Sequence, residues 1–465
     1  MSSARSLTAA AEPQPATSSK LLAAVAGVVL LVFFICEHNV NISQAAAYTQ
    51  SLDEMEVTAQ GGNALRRVMF FLLGGLGFVL AANSLRQKWS GNLLLVASLL
   101  AVPLWCWLSL AWAQDFGMCL RRLIVLSCFC LGAAGVGRKF SLPEITWIGF
   151  LVMLGASVIG VLAELRLGTF RPWSGDYRFS GSMHPNSQGM YLGFFVLAAL
   201  TLARLHPRYR WQYVVCFVWG MGLLILTKSR TATAATICGI GVVGLLQTPW
   251  RLQLVVGSVT AWCGGLGYLL TSILGIDLKR DLQAAIFLGR EEQAESFTGR
   301  GEIWPEVLYF INQRPLCGYG FESFWTPDKI DIISTAVQWA VREAHSSYLE
   351  VILGLGLIGL CLGLTAMGVT TVIAVRNFMR GQEPVYAMIV GLVGFALVDM
   401  SMESGLVTPQ GVVFFCVALM WNMAVNQQAS AVGGRSRTVA AESSGGRLPA
   451  RIRPRRRVIV EHRVK

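Results

Sequence analysis

The sequence predicts an all-α, polytopic membrane protein: a bundle of about twelve transmembrane helices with one large, partly helical periplasmic loop. Of its 465 residues, 54% are hydrophobic and only 14% are charged. Soluble domains carry about 25% charged residues, so the chain lacks the polar surface of a soluble protein. Its apolar runs are roughly 17–25 residues long, the length that crosses a bilayer. Helices are favoured over strands because backbone groups in lipid must be bonded within the spanning segment.

The apolar runs predict individual spans between two tails. The spans fall at 20–36, 67–83, 92–113, 118–136, 143–165, 186–203, 211–227, 231–247, 253–274, 347–373, 385–401 and 410–426. They define a membrane domain of residues 20–427. Residues 1–19 are rich in Ala, Ser and Pro and are predicted to be a disordered cytoplasmic tail. Residues 428–465 are predicted to be a basic, disordered cytoplasmic tail.

The positions of Lys and Arg predict the orientation of the chain in the membrane. Lys and Arg gather in alternate loops, at Arg86 and Lys88, Arg138 and Lys139, Arg204 to Arg210, Arg251, and Arg376 and Arg380. The positive-inside rule then predicts that both termini lie in the cytoplasm. Two pairs, Arg66–Arg67 and Arg121–Arg122, fall at helix ends that this topology places outside. The net charge of +12 owes much to the C-terminal tail, for which no nucleic-acid partner is expected.

Cysteine and histidine spacing predicts neither a metal site nor a cofactor. The eleven cysteines are scattered, most of them within spans. The large loop, about 275–346, contains only Cys317, so no disulfide can close within it. There is no C-x-x-C pair and no His/Cys cluster of the kind that binds zinc.

The predicted outer side carries three polar segments, at about 166–186, 227–231 and 275–346. Polar groups gathered at one face are typical of an enzyme that works at the bilayer surface. A transporter more often places them at the midplane on broken helices.

Two arginines are candidate anion ligands. Arg300 lies in the segment TGRGE, where flanking glycines allow close approach of the backbone, at the start of an amphipathic helix predicted over 301–312. Such a helix start favours anions, and the guanidinium fork suits phosphate oxygens. Arg230 and Lys228 lie in TKSRT, which interrupts an almost continuous apolar stretch. Lys228 can extend to the interface, and helix-end arginines are common, so the pattern alone leaves ligand contact open.

His345 is the candidate base. It precedes an apolar helix in EAHSSYLEVILGLGLIGL, and it titrates near neutral pH, which suits proton removal from a hydroxyl. His184 lies on the same predicted face. A helix-capping role is the alternative for both histidines, and it is favoured for His184 by the Pro185-Asn186 that follows. Glu350 either orients an arginine or holds two helices together, and the structural role is slightly favoured.

Four motifs, taken together, resemble the bacterial O-antigen ligase and polysaccharide polymerase family of membrane glycosyltransferases. They are GSMHPNSQGMYLG, KSRTA, TGRGEIW followed by RPLCGYGFESF, and AHSSYLEVILGLGLIGL. They occur in order over roughly residues 175–365. The resemblance implies a helical membrane bundle with a large periplasmic loop before the last spans.

The resemblance also implies an activity. Members of that family transfer a glycan from undecaprenyl diphosphate to an acceptor hydroxyl in the periplasm, either lipid A–core or another lipid-linked repeat. The family's essential arginines and histidine correspond here to Arg230, Arg300 and His345. Where the family often has His-Asn-x-Tyr, this chain has His345-Ser346-Ser347-Tyr348, which leaves the role of the Asn position unassigned.

The implied mechanism needs no metal. Diphosphate is a good leaving group when its charge is held, and two arginines can hold it. The chain contains no Asp-x-Asp pair of the kind used by metal-dependent transferases. His345 would take the proton of the acceptor hydroxyl in a single, inverting displacement. Further candidate substrate-binding residues are Tyr177, Arg178, His184, Lys228 and Tyr348.

The sequence is consistent with three hypotheses of function. The first is the glycosyltransferase, with the HPN segment and the basic tail slightly favouring a polymerase over a ligase. The second is a transporter or flippase of lipid-linked saccharides, which also needs arginines near a diphosphate but has no use for a base. The third is a purely structural membrane protein, which leaves the outward clustering of these residues unexplained.

Overall fold

A computed structural model describes residues 18–37, 64–84, 91–249, 251–253, 300–405 and 408–426. Within these ranges the secondary structure is helical and no strand is present. The α-helices are α1 (Ser19–Glu37), α2 (Ala64–Ala82), α3 (Leu93–Leu108), α4 (Phe116–Lys139), α5 (Leu142–Leu167), α6 (Pro185–Leu205), α7 (Arg210–Leu226), α8 (Arg230–Gln247), α9 (Arg300–Gln313), α10 (Pro327–Val337), α11 (Ser347–Gly381), α12 (Pro384–Asp399) and α13 (Gly411–Val425). Short 3-10 helices, Ser109–Trp112 and Pro207–Tyr209, extend α3 and precede α7.

The predicted all-α membrane fold class is confirmed. In the described part of the chain, nine helices are long and apolar enough to cross a bilayer, counting α3 and α7 with their 3-10 turns, and α12 and α13 are shorter apolar helices. Every predicted span except 253–274 coincides with one of these helices. Apart from Gln253, that span lies outside the described residues, as do residues 1–17 and 428–465 of the two tails and residues 275–299 of the loop. The total of twelve therefore stays a prediction.

Cross-chain hydrogen bonds sort the helix ends into two groups. At one end, the Asn92 N–H donates to Ala424 O at 2.8 Å, and Asn422 Nδ2 donates to Gly137 O at 2.8 Å. At the other end, Trp112 Nε1 donates to Cys317 O at 3.0 Å, and the Gly411 N–H donates to Glu37 Oε1 at 2.9 Å. This second end, called the polar end below, brings together the described parts of the loops that the sequence placed outside. Which face of the membrane it occupies stays a prediction.

One arginine of each pair that conflicts with the positive-inside rule interacts with a carboxylate. Arg122 Nε lies 3.4 Å from Glu322 Oε2, and its Nη1 donates to the carbonyl of the same residue. Arg66 interacts electrostatically with Glu37 and lies over the Phe70 ring at 5.8 Å. Both arginines therefore have local partners at the polar end.

The described part of the large loop packs as a small unit on α11. Its core is formed by buried side chains of α9 and α10, among them Ile303, Val307, Phe310, Ile330 and Ile333, and is completed by Phe324, Trp325 and Leu353. The predicted helix over 301–312 is α9, and α10 was not predicted. This unit fixes the position of Arg300, at the start of α9, relative to His345, just before α11.

Helix α11 is broken where the loop meets it. Gly356 has φ +68° and ψ −175°, which interrupts the helix near its polar end. Loop residues Pro315 to Gly320 run alongside the break. The Tyr319 N–H donates to Leu353 O at 2.8 Å, and the Leu357 N–H donates to Pro315 O at 2.9 Å. Backbone groups released by the break are thus bonded by protein, as an apolar environment requires.

Candidate functional site

The site is assembled on a short corner, Met400 to Glu403, that joins α12 to α13 at the polar end. The Ser347 N–H and hydroxyl donate to Glu403 O at 3.0 and 2.6 Å, which fastens the start of α11 to the corner. Arg300 Nη2 donates to Met402 O at 2.6 Å, which fastens the start of α9 to the same corner. The starts of α9 and α11, at Arg300 and Ser347, therefore share one support.

The Glu403 side chain is hydrogen-bonded directly to the starts of α9 and α6. Its Oε1 accepts from Arg300 Nη2 at 2.9 Å and from Asn186 Nδ2 at 2.8 Å. Arg178 extends the chain of bonds, because its Nη2 donates to Asn186 Oδ1 at 3.1 Å and its Nε to Thr227 O at 3.0 Å. All three predicted outer polar segments are joined by this network.

Among the helices that begin at the polar end, four start at or next to this hydrogen-bond network. They are α6, capped by His184, α8, capped by Ser229, α9, which starts at Arg300, and α11, whose N-cap is Ser346. Each helix start carries unbonded N–H groups and the positive end of the helix dipole. Several such starts side by side make the region favourable for an anion.

Arg230 lies at the level of the corner. Helices α8 and α12 are antiparallel, and a Cβ built on Gly239 would lie 3.0 Å from Gly391 O. From this crossing, Arg230 is about 13.5 Å and Asp399 about 12 Å towards the polar end, at 1.5 Å per residue. The backbone of Arg230 therefore lies beside the end of α12, where the corner that holds Arg300 begins.

His345 has an unusual backbone conformation and lies close to charged and aromatic side chains. Its φ is +50°, in the left-handed region that non-glycine residues rarely occupy. Nδ1 lies 3.3 Å from Glu343 Oε1, and the ring is stacked on Trp339 with centroids 6.3 Å apart. Burial lowers the pKa of His345, as do the charges of Arg300 and Arg342, while Glu343 opposes them. The imidazole is therefore neutral, and able to accept a proton, at neutral pH.

The two histidines are close to each other. The pKa of His184 is lowered to about 4 by burial and by the charges of Arg178, His345 and Arg342. The residue is nevertheless exposed at the surface of the protein. Its Nδ1 accepts from the Asn186 N–H at 3.3 Å, so it also serves the capping role that the sequence favoured.

The remaining predicted residues have identifiable contacts. Lys228, with φ +50°, donates to Gly175 O and so ties the TKSRT turn to the 166–186 segment. The Tyr348 hydroxyl donates to Leu397 O at 2.8 Å. Tyr177 is buried and its hydroxyl donates to Glu164. Glu350 accepts from Trp325 Nε1 and from the Ala344 N–H, which matches the structural role favoured for it.

Titratable groups dominate the electrostatics around the corner. Burial raises the pKa of Glu403 to about 7, against the opposing effects of Arg300 and Asn186. This carboxyl therefore changes charge near neutral pH while it is bonded to a candidate phosphate ligand. Among the described residues, no three His, Cys, Asp or Glu side chains gather where they could hold a metal ion.

Four residues of this network were not singled out from the sequence: Asn186, Arg342, Glu343 and Glu403. Asn186 and Glu343 lie inside quoted motifs, but nothing in their spacing separates them from ordinary helix-end polar residues. Glu403 had a usable signal, since Asp399 and Glu403 are acids between two apolar spans on the predicted outer side. An acid there is a natural partner for the arginines of the other outer loops.

The chain was compared with known protein families and with curated proteins. Residues 215–364 match the family model described as O-antigen ligase, and no curated protein matches. The matched segment contains Arg230, Arg300 and His345, whereas the GSMHPNSQGMYLG motif lies before it. The family resemblance is confirmed over this segment. It supports a membrane enzyme of O-antigen or polysaccharide assembly, in the inner membrane of a bacterium, with lipid-linked glycans as the class of substrate.

Proposed function

We propose that the protein is a membrane glycosyltransferase that moves a glycan from undecaprenyl diphosphate to an acceptor sugar hydroxyl at the periplasmic face. Arg230 and Arg300 bind the diphosphate, and His345 is the general base. The reaction is metal-independent and inverts the anomeric carbon. One observation carries the proposal. Arg300 and the start of the His345 helix both lie in the segment that matches the O-antigen ligase family, and both are hydrogen-bonded to the Met400–Glu403 corner.

The donor-binding role is supported by the electrostatics of the polar end. Four helix starts lie at this end, one of them at Arg230, and the cations Arg178, Arg300 and Arg342 interact electrostatically with the two histidines. A diphosphate carries the opposite charge. Charge-assisted hydrogen bonds from guanidinium groups are about twice as strong as neutral ones. Such bonds strengthen as the bond to the sugar breaks and charge builds on the leaving oxygen, which is the condition for lowering a barrier.

The base role is supported by the low pKa of His345, which leaves its ring unprotonated at neutral pH. A hydroxyl attacks an anomeric carbon more readily when its proton is removed during the attack. General-base assistance of this kind typically contributes about 10²–10⁴-fold. Diphosphate needs no proton to leave, so a second acid is not required.

The acceptor decides between a polymerase and a ligase. The HPN segment and the basic tail slightly favour an exopolysaccharide-type polymerase, whose acceptor is another lipid-linked repeat. Deletion of a polymerase is expected to leave single repeats attached to their final carrier, whereas deletion of a ligase leaves the carrier without glycan. The length distribution of surface glycan in a deletion strain separates the two.

Replacement of His345 tests the reaction class. Cells carrying His345→Ala are expected to accumulate lipid-linked glycan while the protein inserts into the membrane at normal levels. His206→Ala, which changes a histidine at the opposite end of the bundle, is the matched control and is expected to leave surface glycan unchanged. Normal surface polysaccharide in the His345→Ala strain would contradict the base role and would favour a flippase.

A further inference from the structure

The backbone around His345 is held on both sides of that residue. The Ala344 N–H donates to Glu350, and Ala344 O accepts from Trp304 Nε1 at 3.1 Å. On the other side, the Ser347 N–H donates to Met400 O at 2.9 Å. Between these fixed points His345 has φ +50°. A left-handed conformation persists at a non-glycine residue only where the surroundings enforce it, and such positions cluster at functional sites.

The side chain of His345 is oriented by Glu343. Nδ1 lies 3.3 Å from Glu343 Oε1, and Trp339 covers one face of the ring with an interplanar angle of 22°. The His345 side chain remains 29% exposed. With one ring nitrogen on a carboxylate and one face on an indole, Nε2 is the nitrogen left for a reactant.

We propose that Glu343 is a positioning residue for the transfer reaction: it accepts a hydrogen bond from Nδ1–H of His345 and so selects the tautomer whose Nε2 is the base. The inference rests on the proposed function. It adds a residue that neither the motifs nor the family match assigns. The arrangement follows the general rule that the hydrogen bond at one imidazole nitrogen decides which nitrogen reacts.

In the transfer step, the bond that forms is matched by a bond that breaks. Nε2 accepts the proton of the acceptor hydroxyl while its oxygen forms a bond to the anomeric carbon. The bond from that carbon to the diphosphate oxygen breaks, and the electron pair leaves with undecaprenyl diphosphate. His345 becomes an imidazolium, whose added charge faces the Glu343 carboxylate. The Nε2 proton then passes to solvent, which restores the starting tautomer.

Charged groups from several segments face this imidazole. Glu343 favours its protonated form, whereas Arg300 and Arg342 disfavour it, and the charge of His345 in turn lowers the pKa of His184. Removal of the Glu343 charge alone should therefore lower the pKa of His345 further. Replacement of a carboxylate that only supported the fold would leave this pKa unchanged.

Glu343→Gln in the purified full-length protein tests the assignment. The acid limb of the pH profile of kcat/KM should move to lower pH, and kcat should fall about tenfold or more, part of the roughly 10²–10⁴-fold effect of a base. The KM for the donor should change little, because other residues hold the diphosphate. Glu343→Asp should recover part of the lost rate. Asp331→Asn, which removes an exposed carboxylate from α10, is the matched control and should leave the profile unchanged.

A second readout does not depend on turnover. Diethyl pyrocarbonate modifies neutral imidazole, so the pH dependence of His345 modification, followed by peptide mass spectrometry, reports its pKa. The midpoint should lie at lower pH in Glu343→Gln than in the wild type. An unchanged midpoint together with an unchanged acid limb would overturn the role of Glu343. If His345→Ala also retained full activity, the proposed function itself would fail, which keeps the two failures distinct.

Discussion

At the scale of single residues, Glu403 controls the charge on the proposed donor site. It bonds to Arg300 and Asn186, and its side chain is only 13% exposed. Burial outweighs the attraction of its partners and raises the pKa of Glu403 to about 7. The carboxyl is ionised above that pH and neutral below it.

Donor affinity should therefore depend on pH. A bound diphosphate adds negative charge beside Glu403, so it favours the protonated form of this carboxyl. Binding is then stronger at pH 6.5 than at pH 8.5, with a change on the order of tenfold for each unit by which the ligand raises the pKa. Titration of the purified protein with undecaprenyl diphosphate at several pH values measures this.

Glu403→Gln supplies the control for that experiment. The amide keeps the size of the side chain but cannot ionise, so its affinity should stay nearly constant across this range. Glu322→Gln removes a carboxylate from a more exposed ion pair with Arg122, and should leave the pH dependence of the wild type intact. Equal pH dependence in the wild type and Glu403→Gln would show that another group is responsible.

At the residue level, the sequence drew attention to groups whose chemistry is unusual for their place. Arg300 and His345 are charged or titratable groups at the lip of apolar segments, and their charges interact in the structure. Glu403 and Asn186 were not predicted, because each acts through partners that are distant in sequence. Their importance comes from the pairing rather than from the residue type.

At the scale of elements, the break in α11 sets the geometry of the loop that carries the site. A Cβ on Gly356 would lie 2.0 Å from Leu316 O, and φ is +68°. Gly356→Ala should therefore separate the loop from the helix and destabilise the protein by at least about 2 kcal/mol, within the range of a strained backbone plus lost contacts. Thermal unfolding in detergent measures this effect.

Gly363→Ala is the matched control for Gly356→Ala. It lies in the same helix, and a Cβ there would meet nothing within 4 Å. Since alanine is the better helix former, this variant should be neutral or more stable by up to about 1 kcal/mol. Similar losses in the two variants would contradict a specific role for the break.

The helices were predictable from the sequence where a run of apolar residues marks them. The spans match the described helices closely, although α11 continues to Gly381, eight residues past its predicted end. The break at Gly356 was not predicted, because its apolar surroundings continue uninterrupted through GLGLIGL. Only the approach of the 315–320 loop, a tertiary contact, identifies the glycine that is not helical.

At the scale of the whole molecule, the fold gathers the described parts of the predicted outer loops at one end. Arg178 and Asn186 belong to one outer segment and Arg300 and His345 to another, and both segments meet at the Met400–Glu403 corner or its neighbours. The alternation of spans predicted this grouping. The charge rule predicts in addition that the polar end faces the periplasm.

Cysteine labelling in intact cells tests that orientation. Trp173 is 81% exposed at the polar end, and Trp211 is 79% exposed near the opposite end. Trp173→Cys should gain labelling by a membrane-impermeant maleimide above the background of the native cysteines. Trp211→Cys should gain it only after the inner membrane is permeabilised. The reverse pattern would place the site in the cytoplasm and exclude a periplasmic acceptor.

The proposed function requires transfer of a lipid-linked glycan at the polar end rather than its passage across the membrane. Single-turnover transfer from a purified undecaprenyl-diphosphate-linked donor, compared between the wild type and His345→Ala at saturating donor, distinguishes the two. The rate should be about 10²–10⁴-fold lower in His345→Ala, with donor affinity nearly unchanged. Transfer at the wild-type rate by His345→Ala would rule out His345 as the base.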